Sequence, residues 1–151
     1  MKLNFTILDF KDLTTMQLFL IGKFRQQVFV VEQNCPYQDF DDIDLESKHV
    51  ILWVDEHFGG YCRIYSYHNI VAHIGRVMIT KPFRNKELAY NLMDKAHSYL
   101  ISEHKNVKWI KISAQNHLTN FYKNLGYYTT SDMYLEDNIP HIEMIRNINR
   151  Y

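Results

Sequence analysis

The sequence is poor in residues that cross-link, break or loosen a chain. It has two cysteines, three prolines and five glycines in 151 residues. Two cysteines cannot build the disulfide framework of a small secreted protein. Residues 1–10 carry Asp9 and a single lysine, which does not fit a signal peptide. We therefore expect a cytoplasmic protein.

Three further absences narrow the class of function. Lysine plus arginine equals aspartate plus glutamate at 17 each, so no bulk positive charge favours nucleic acid. No apolar run approaches the roughly 20 residues that span a bilayer, so no membrane association is expected. The eight histidines do not pair with cysteine or glutamate at metal-ligand spacing, and we expect no metal.

What the sequence does contain is typical of one globular domain over residues 1–151. Apolar residues make up 46%, charged residues 23% and aromatic residues 15%. Hydrophobic periodicity predicts the element order β-α-β-β-β-α-β-α-β-β. Antiparallel hairpins followed by β-α-β-α-β predict an α/β fold, with a mixed, largely antiparallel sheet and helices on both faces.

Several local expectations can be tested directly. Asp12 or Thr14 should cap a first helix over about 15–31, and its β-branched end at 28–31 should loosen. Gly59 and Gly60 should form the bend of the hairpin between strands at about 49–54 and 61–67. Residues 136–140 should be a loop between the last two strands.

The most informative stretch is 75–100, where a strand turns through a basic corner, residues 80–87, into a helix. Leu88 begins a helical pattern of apolar residues that recur every four positions. Unpaired main-chain N–H groups at the helix start, together with Arg84 and Lys86, predict a site for a phosphate-bearing ligand. The alternative is an ordinary strand–turn–helix unit with a solvated corner.

Two motifs in this order resemble the GNAT acyltransferase superfamily. Arg84-x-x-Glu87-x-Ala89 is similar to its R/Q-x-x-G-x-G/A corner, which holds the pyrophosphate of coenzyme A, although Glu87 replaces the usual first glycine. Residues 120–127, NFYKNLGY, resemble its F-Y-x-x-x-G-F/Y segment. Three longer stretches, 29–39, 114–118 and 136–144, resemble the ElaA-type branch of small bacterial members.

The resemblance implies a GNAT-like fold and an N-acyltransferase (EC 2.3.1 type). The reaction would be direct transfer from an acyl-CoA, most simply acetyl-CoA, to a primary amine on a small molecule or peptide. The alternatives are an acyltransferase that uses acyl carrier protein and a CoA-binding sensor without turnover. Residues 24–30 resemble the R-x-x-V-F start of acyl-homoserine lactone synthases, which use such carriers. The chain could be a monomer or a homodimer.

The resemblance also implies which residues form the cofactor site. Main-chain groups of Val77, Met78 and Ile79 would hold pantetheine, and an N–H in this region would polarise the thioester carbonyl. The diphosphate would lie on the N–H groups of the corner and helix start, with charge from Arg84 and Lys86. Those N–H groups belong to Asn85, Lys86, Glu87, Leu88 and Ala89. Asn116 and Asn120 would contact the cofactor arm, although Asn116 could equally be a helix-start residue.

For the chemistry, Tyr122 would donate a proton to the departing thiolate. Glu32 and His117 are the first candidates for the base, and His49 and His141 the next. Each of these four could instead have a structural role, or water could relay the proton.

Two further features have alternative interpretations. The carboxylates between Asp39 and Glu46 lack the spacing of a calcium loop, so they form either a negative rim that attracts a cationic amine or a solvated loop. Cys35 could be a nucleophile, but no basic residue adjoins it, and we expect a structural role.

Overall fold

The computed structural model describes residues 1–148; the last three residues of the expected domain lie outside this range. Eight strands form one sheet: β1 Leu3–Asp9, β2 Lys48–Val54, β3 His57–Tyr65, β4 Val71–Ile79, β5 Trp109–Gln115, β6 Tyr128–Thr129, β7 Tyr134–Glu136 and β8 Ile139–Asn147. The helices are α1 Thr15–Arg25, α2 Leu88–Glu103 and α3 Thr119–Asn124, and α1 continues into a π-helical segment, Gln26–Glu32. Short 3₁₀ turns cover Phe10–Asp12, Asp42–Glu46, Lys81–Phe83 and Asn116–Leu118.

The strand order is β1-β2-β3-β4-β5-β8-β6, and β7 also pairs with β8. Only β4 and β5 run parallel, and every other pair is antiparallel. The predicted mixed, largely antiparallel sheet is therefore confirmed. Within residues 1–148 no helix is both long and apolar enough to cross a bilayer.

The two faces of the sheet bury separate cores. Alternate residues of a strand point to opposite faces, so Val50 and Leu52 pack with α2 while Ile51 between them packs on the α1 side. Leu92 of α2 and Ile21 of α1 are both fully buried. Helices therefore cover both faces, as expected.

The start and end of α1 follow from its sequence. Thr14 caps the helix: its hydroxyl accepts a hydrogen bond from Gln17 N at 3.1 Å, and Gln17 Oε1 accepts one from Thr14 N at 2.9 Å. The cap is therefore Thr14 and not Asp12. The predicted loosening is also confirmed, because residues 26–32 widen to a π-helix where the valines begin.

Two predictions about hairpins were wrong. The bend between β2 and β3 is Asp55–Glu56, with φ values of 48° and 71°, and Gly59 and Gly60 lie inside β3. A Cβ at Gly59 would lie 2.6 Å from Val54 Cγ2, so the glycine is needed for packing and not for a turn. The expected loop at 136–140 is instead the tight turn of a hairpin whose first strand, β7, the pattern did not predict.

The feature that positions the functional site is a gap between β4 and β5. These strands pair only from Val71–Trp109 to His73–Lys111, and then separate. Beyond that point β5 continues to pair with β8 as far as Gln115. The second half of β4 therefore faces an opening in the middle of the sheet.

Candidate active site

A cavity of about 540 Å³ fills the opening between β4 and β5. We call it the cleft. Its walls come from the second half of β4, the end of β5, the π-helical segment, the start of α3 and the β7–β8 hairpin. The volume falls within the range of small-ligand sites, roughly 300–1,000 Å³.

A bulge in β4 lines this cleft. Tyr61 pairs with Met78 and Arg63 pairs with Gly75, so the two residues Arg76 and Val77 lie opposite one residue of β3. Arg76 has a φ of 51°, which is unusual for a residue with a side chain. The bulge turns the main chain locally out of the regular ladder at the place where pantetheine and the thioester carbonyl were predicted.

The corner has the geometry of an anion site. Within residues 1–148, no acceptor lies in hydrogen-bond range of the N–H groups of Asn85, Lys86 and Glu87. Leu88 and Ala89 begin α2, where N–H groups have no partner in the preceding turn. The positive end of the helix dipole adds to this potential.

Glu87 adopts the left-handed backbone conformation that the usual glycine would have at this position. Its φ is 61° and it is the N-cap of α2, yet its side chain makes no capping hydrogen bond and is exposed. Asn85 is left-handed as well, with a φ of 64°. The corner thus keeps its shape without glycine, and the carboxylate lies in solvent.

The cations of the corner are less available than the sequence suggested. Arg84 Nε donates to the carbonyl of Ile79 at 2.9 Å, and Arg84 Nη2 lies 2.8 Å from Glu32 Oε2. Lys86 is exposed, with its Nζ 5.8 Å from the centre of the Phe83 ring. A bound diphosphate would compete with Glu32 for Arg84.

Tyr122, the predicted proton donor, contributes a buried phenol to the wall of the cleft. It lines the cleft and is 6% exposed. Its hydroxyl has no hydrogen-bond partner among the side chains and main-chain groups of residues 1–148. Burial raises the pKa of the phenol above its ordinary value, at which the group is already protonated at neutral pH.

The four candidate bases differ in their surroundings. Glu32 lines the cleft but is held by Arg84, and His117 lines it from an exposed 3₁₀ turn. His49 is structural: it accepts a hydrogen bond from the Tyr61 hydroxyl at 2.7 Å, and its Nε2 donates to a carbonyl at 2.9 Å. Burial lowers the pKa of His49, and the ring stays neutral.

Of the remaining predicted residues, Asn116 and Asn120 are exposed and lie outside the lining of the cleft. Asn116 begins the 3₁₀ turn before α3, and its carbonyl accepts a hydrogen bond from the Thr119 hydroxyl at 2.7 Å. This geometry fits the helix-start alternative.

The carboxylates of the 39–46 loop do not form an open negative rim. Asp39, Asp41 and Asp44 pair with three arginines in a network that we call the arginine–aspartate network. Each arginine contacts a different aspartate: Arg25 Nη1–Asp44 Oδ1 at 2.6 Å, Arg63 Nη1–Asp41 Oδ1 at 2.7 Å and Arg76 Nε–Asp39 Oδ1 at 2.9 Å. Three positive and three negative charges balance within it. The hypothesis that these three carboxylates attract a cationic substrate is therefore wrong.

Sequence reasoning gave no role to Glu136 and only a secondary one to His141. The hairpin brings both to the cleft, with His141 Nε2 3.4 Å from Glu136 Oε2. Cys35 also lines the cleft, and its thiol donates to the carbonyl of Asp137 in the hairpin turn at 3.4 Å. This contact gives Cys35 the expected structural role. Recognising β7 in the sequence would have placed Glu136 and His141 on the same face of the hairpin, as diagonal neighbours.

No cluster of three or more histidine, cysteine, aspartate or glutamate side chains within residues 1–148 is arranged to hold a metal ion.

Comparison with known proteins gives consistent matches. The profile of the acetyltransferase (GNAT) domain matches residues 13–148. Protein ElaA of Escherichia coli is 36% identical over 145 residues, which cover 93% of this chain and 94% of that protein. The crystal structure of E. coli ElaA superposes with a TM-score of 0.88 at 34% identity and covers 97% of this chain and all of that one.

Two further structures show the range of this fold. An acyl-CoA N-acyltransferase from Pseudomonas aeruginosa is 35% identical, with a TM-score of 0.86 over 96% of this chain and 99% of that one. The acyl-homoserine lactone synthase LasI has a TM-score of 0.82 over 98% of this chain and 91% of that one, at 12% identity. At that identity the likeness concerns the fold alone.

Proposed function

The chain belongs to the GNAT acetyltransferase family, and from this premise we propose that it transfers an acetyl group from acetyl-CoA to a primary amine. The transfer is direct, without an acyl-enzyme. The observation that carries the proposal is the opening between β4 and β5, which joins a bulged strand to unpaired N–H groups at the start of α2. That combination suits an extended ligand with a diphosphate at one end.

In this proposal pantetheine lies along β4 against main-chain groups of Val77, Met78 and Ile79. The diphosphate lies on the N–H groups from Asn85 to Ala89. Arg84 exchanges Glu32 for a phosphate oxygen, since charge-assisted hydrogen bonds of a guanidinium are equally available to either anion. Lys86, which is exposed beside this loop, adds a second charge.

The chemical step needs a neutral amine, a polarised carbonyl and a protonated leaving group. The β4 bulge supplies main-chain N–H groups near the carbonyl oxygen. Tyr122, which is buried in the wall of the cleft, donates its proton to the CoA thiolate as the C–S bond breaks. Glu32 and His117 line the cleft as the bases first expected from the sequence.

An acyl carrier protein donor is the second candidate, and the fold alone is compatible with it. The corner favours CoA, because a carrier protein presents no free diphosphate to the N–H groups at Asn85 to Ala89. A CoA sensor without turnover would not require a proton donor such as the buried Tyr122 phenol.

The acceptor in this proposal is a small amine or a peptide amine, and the site of action is the cytoplasm. Nothing in the proposal needs more than one copy of the chain, since every named group comes from one protomer. A monomer or a homodimer would serve equally.

The test is an acetyl-transfer assay with a panel of primary amines, read by mass spectrometry of the acetylated product and by release of free CoA. We expect product from at least one amine with wild-type protein and CoA release in equal amount. Tyr122→Phe should bind acetyl-CoA normally and turn over at least tenfold more slowly. A folded wild type that binds acetyl-CoA but acetylates no amine would favour the sensor.

A further inference from the structure

We propose that His141, paired with Glu136, is the catalytic base, and that the acceptor is a small cationic amine bound beside this pair. The inference rests on the proposed function and names the group that activates its acceptor. In the sheet order β4-β5-β8, the hairpin that carries both residues lies across the cleft from the β4 bulge.

The main chain fixes which nitrogen of His141 can take a proton. His141 Nδ1 lies 2.7 Å from the carbonyl oxygen of Ile139, and a carbonyl only accepts, so Nδ1 carries the hydrogen. Nε2 is then the basic nitrogen, and it lies 3.4 Å from Glu136 Oε2. The His141 side chain is 10% exposed, which holds the ring in this orientation.

Glu136 is the carboxylate that can meet an incoming ammonium group. Glu32 is paired with Arg84, and the aspartates of the arginine–aspartate network are paired with arginines. Glu136 has no lysine or arginine partner within residues 1–148, and half of its side chain, 52%, is exposed. Its remaining contact is a long one, 3.5 Å, from the Ser113 hydroxyl.

The other charged groups near His141 do not neutralise the negative charge of Glu136. Asp137 follows Glu136 in the hairpin turn, and both line the cleft. Lys111 on β5 and Glu143 on β8 lie 3.7 Å apart, pair with each other, and are not part of the cleft lining. A cationic amine is therefore attracted to the hairpin, and a carboxylate-bearing acceptor is not.

His141 is also better placed than the earlier candidates. Glu32 would have to leave its 2.8 Å ion pair with Arg84 before it could take a proton. His117 is exposed and has no partner of its own that fixes its tautomer within residues 1–148. His141 combines a fixed tautomer, a carboxylate neighbour and a place in the cleft wall.

The reaction balances with the groups present. The ammonium group bound at Glu136 gives one proton to His141 Nε2 and becomes a neutral amine. Its nitrogen attacks the thioester carbonyl, a C–N bond forms and the C–S bond breaks. Tyr122 protonates the CoA thiolate, and the second proton lost from nitrogen restores the phenol through solvent. His141 releases the proton that it accepted to solvent, so the products are an N-acetyl amine, free CoA and one proton.

The binding part is tested by NMR titration of the protein, with and without CoA, using n-butylamine as the probe and 1-butanol as an uncharged control. We expect the amine but not the alcohol to shift the amide signals of residues 134–141. In Glu136→Gln the amine should bind at least tenfold more weakly. Glu143→Gln, the matched carboxylate on β8 outside the cleft, should bind as wild type does. No shift in the hairpin, or an unchanged affinity in Glu136→Gln, would overturn the proposal.

The catalytic part is tested by the pH profile of acetyl transfer to n-butylamine. His141→Gln, whose amide can still donate to Ile139, should lower kcat about 100-fold while the KM for acetyl-CoA is unchanged. The rate of the variant should rise towards that of the wild type as the pH increases, because solvent then deprotonates a growing fraction of the amine. A His141→Gln enzyme with the wild-type profile would overturn the assignment, because a merely structural role predicts no such pH dependence.

These outcomes are distinct from failure of the proposed function. If the protein binds acetyl-CoA but the amine does not affect the hairpin, the result overturns this inference and does not contradict the proposed cofactor site. Absence of acetyl-CoA binding overturns the proposed function, and the amine titration of the free protein still decides whether the hairpin binds amines.

Discussion

The arginine–aspartate network and the cleft are both rich in polar side chains, but their hydrogen-bonding potential is used in opposite ways. In the network, Arg25 is fully buried and contacts Asp39 and Asp44, so carboxylates of the same protein neutralise its charge. In the cleft and the corner, the Tyr122 hydroxyl and the N–H groups of residues 85–87 have no protein partner within residues 1–148. Charges that pair with each other hold the fold together here, and the unpaired N–H groups of residues 85–87 mark the place for a ligand.

The two regions meet at Arg76. Its backbone lies in the β4 bulge with a φ of 51°, and its guanidinium donates to the Asp39 carboxylate at 2.9 Å and to the Asp39 carbonyl at 3.0 Å. The network therefore holds the bulge in its unusual conformation. A strained backbone of this kind persists only when its surroundings fix it.

The largest expected effect is the loss of folding stability when an arginine of the arginine–aspartate network is replaced. Arg25→Met leaves Asp44 buried without its main partner and should lower the free energy of unfolding by about 3–5 kcal/mol. Chemical denaturation monitored by fluorescence measures it. Asp42→Asn, in the same loop but exposed, should change stability by less than about 0.5 kcal/mol. Equal effects of the two variants would contradict the division between scaffold and surface.

The largest effect in the cleft should be on catalysis. Tyr122→Phe removes the proton donor and should reduce kcat about 100-fold, with the dissociation constant of acetyl-CoA unchanged within about twofold. Tyr127→Phe is a matched control, because Tyr127 is also buried but its hydroxyl bonds to His97 Nε2 at 2.8 Å, away from the cleft lining. It should keep kcat, and an equal loss in both variants would point to general disruption.

Affinity for the cofactor should depend on the corner. Arg84→Glu replaces attraction by repulsion and should weaken acetyl-CoA binding 10- to 100-fold, which is about 1.4–2.8 kcal/mol. Lys105→Glu, near the other end of α2, makes the same change of charge far from the corner and should leave the dissociation constant unchanged. Isothermal titration calorimetry compares them, and equal losses would show that only overall charge matters.

The pH dependence of stability should distinguish the network from the rest of the fold. Burial raises the pKa of Asp44, but the hydrogen bond and charge of Arg25 outweigh it and hold that pKa below its ordinary value. A lowered pKa in the folded state stabilises the protein above pH ~4, and this stability is lost as the pH falls further.

Asp44→Asn should therefore be less stable than wild type by about 2 kcal/mol at pH 7. The two unfolding curves should converge as the pH approaches the acid limit, where the wild-type carboxyl is also neutral. A constant difference at all pH values would contradict the assignment of this energy to the charged pair.

The smallest effect concerns the shape of the corner. Glu87 has a φ of 61°, which costs a residue with a side chain roughly 1 kcal/mol relative to glycine. Glu87→Gly should leave stability unchanged or raise it by up to about 1 kcal/mol, and acetyl-CoA should bind at least as tightly. Weaker binding in Glu87→Gly would mean that the carboxylate itself contributes to the site.

Local sequence patterns predicted the elements that depend on neighbouring residues. The helix that the apolar spacing from Leu88 predicts is α2, Leu88–Glu103, because this spacing and the corner before it are both local signals. Gly126 follows α3 in the left-handed conformation, with a φ of 90°, as is common for a glycine just after a helix. The corner was found in the same way.

What the sequence could not supply depends on distant residues. Arg25 and Asp44 are 19 positions apart, and Cys35 meets Asp137 across 102 positions. Gly59 and Gly60 were misassigned because the reason for a small residue there is a side chain from another strand. β7 has only three residues, all exposed, so no periodicity marks it.

The central claim, that the cleft and corner bind an acyl-CoA, is tested most directly by titrating acetyl-CoA into the wild-type protein. We predict a micromolar dissociation constant, about −8 kcal/mol, with one site per chain. Absence of binding by a folded protein at millimolar acetyl-CoA would contradict the claim and make the carrier-protein donor the better hypothesis.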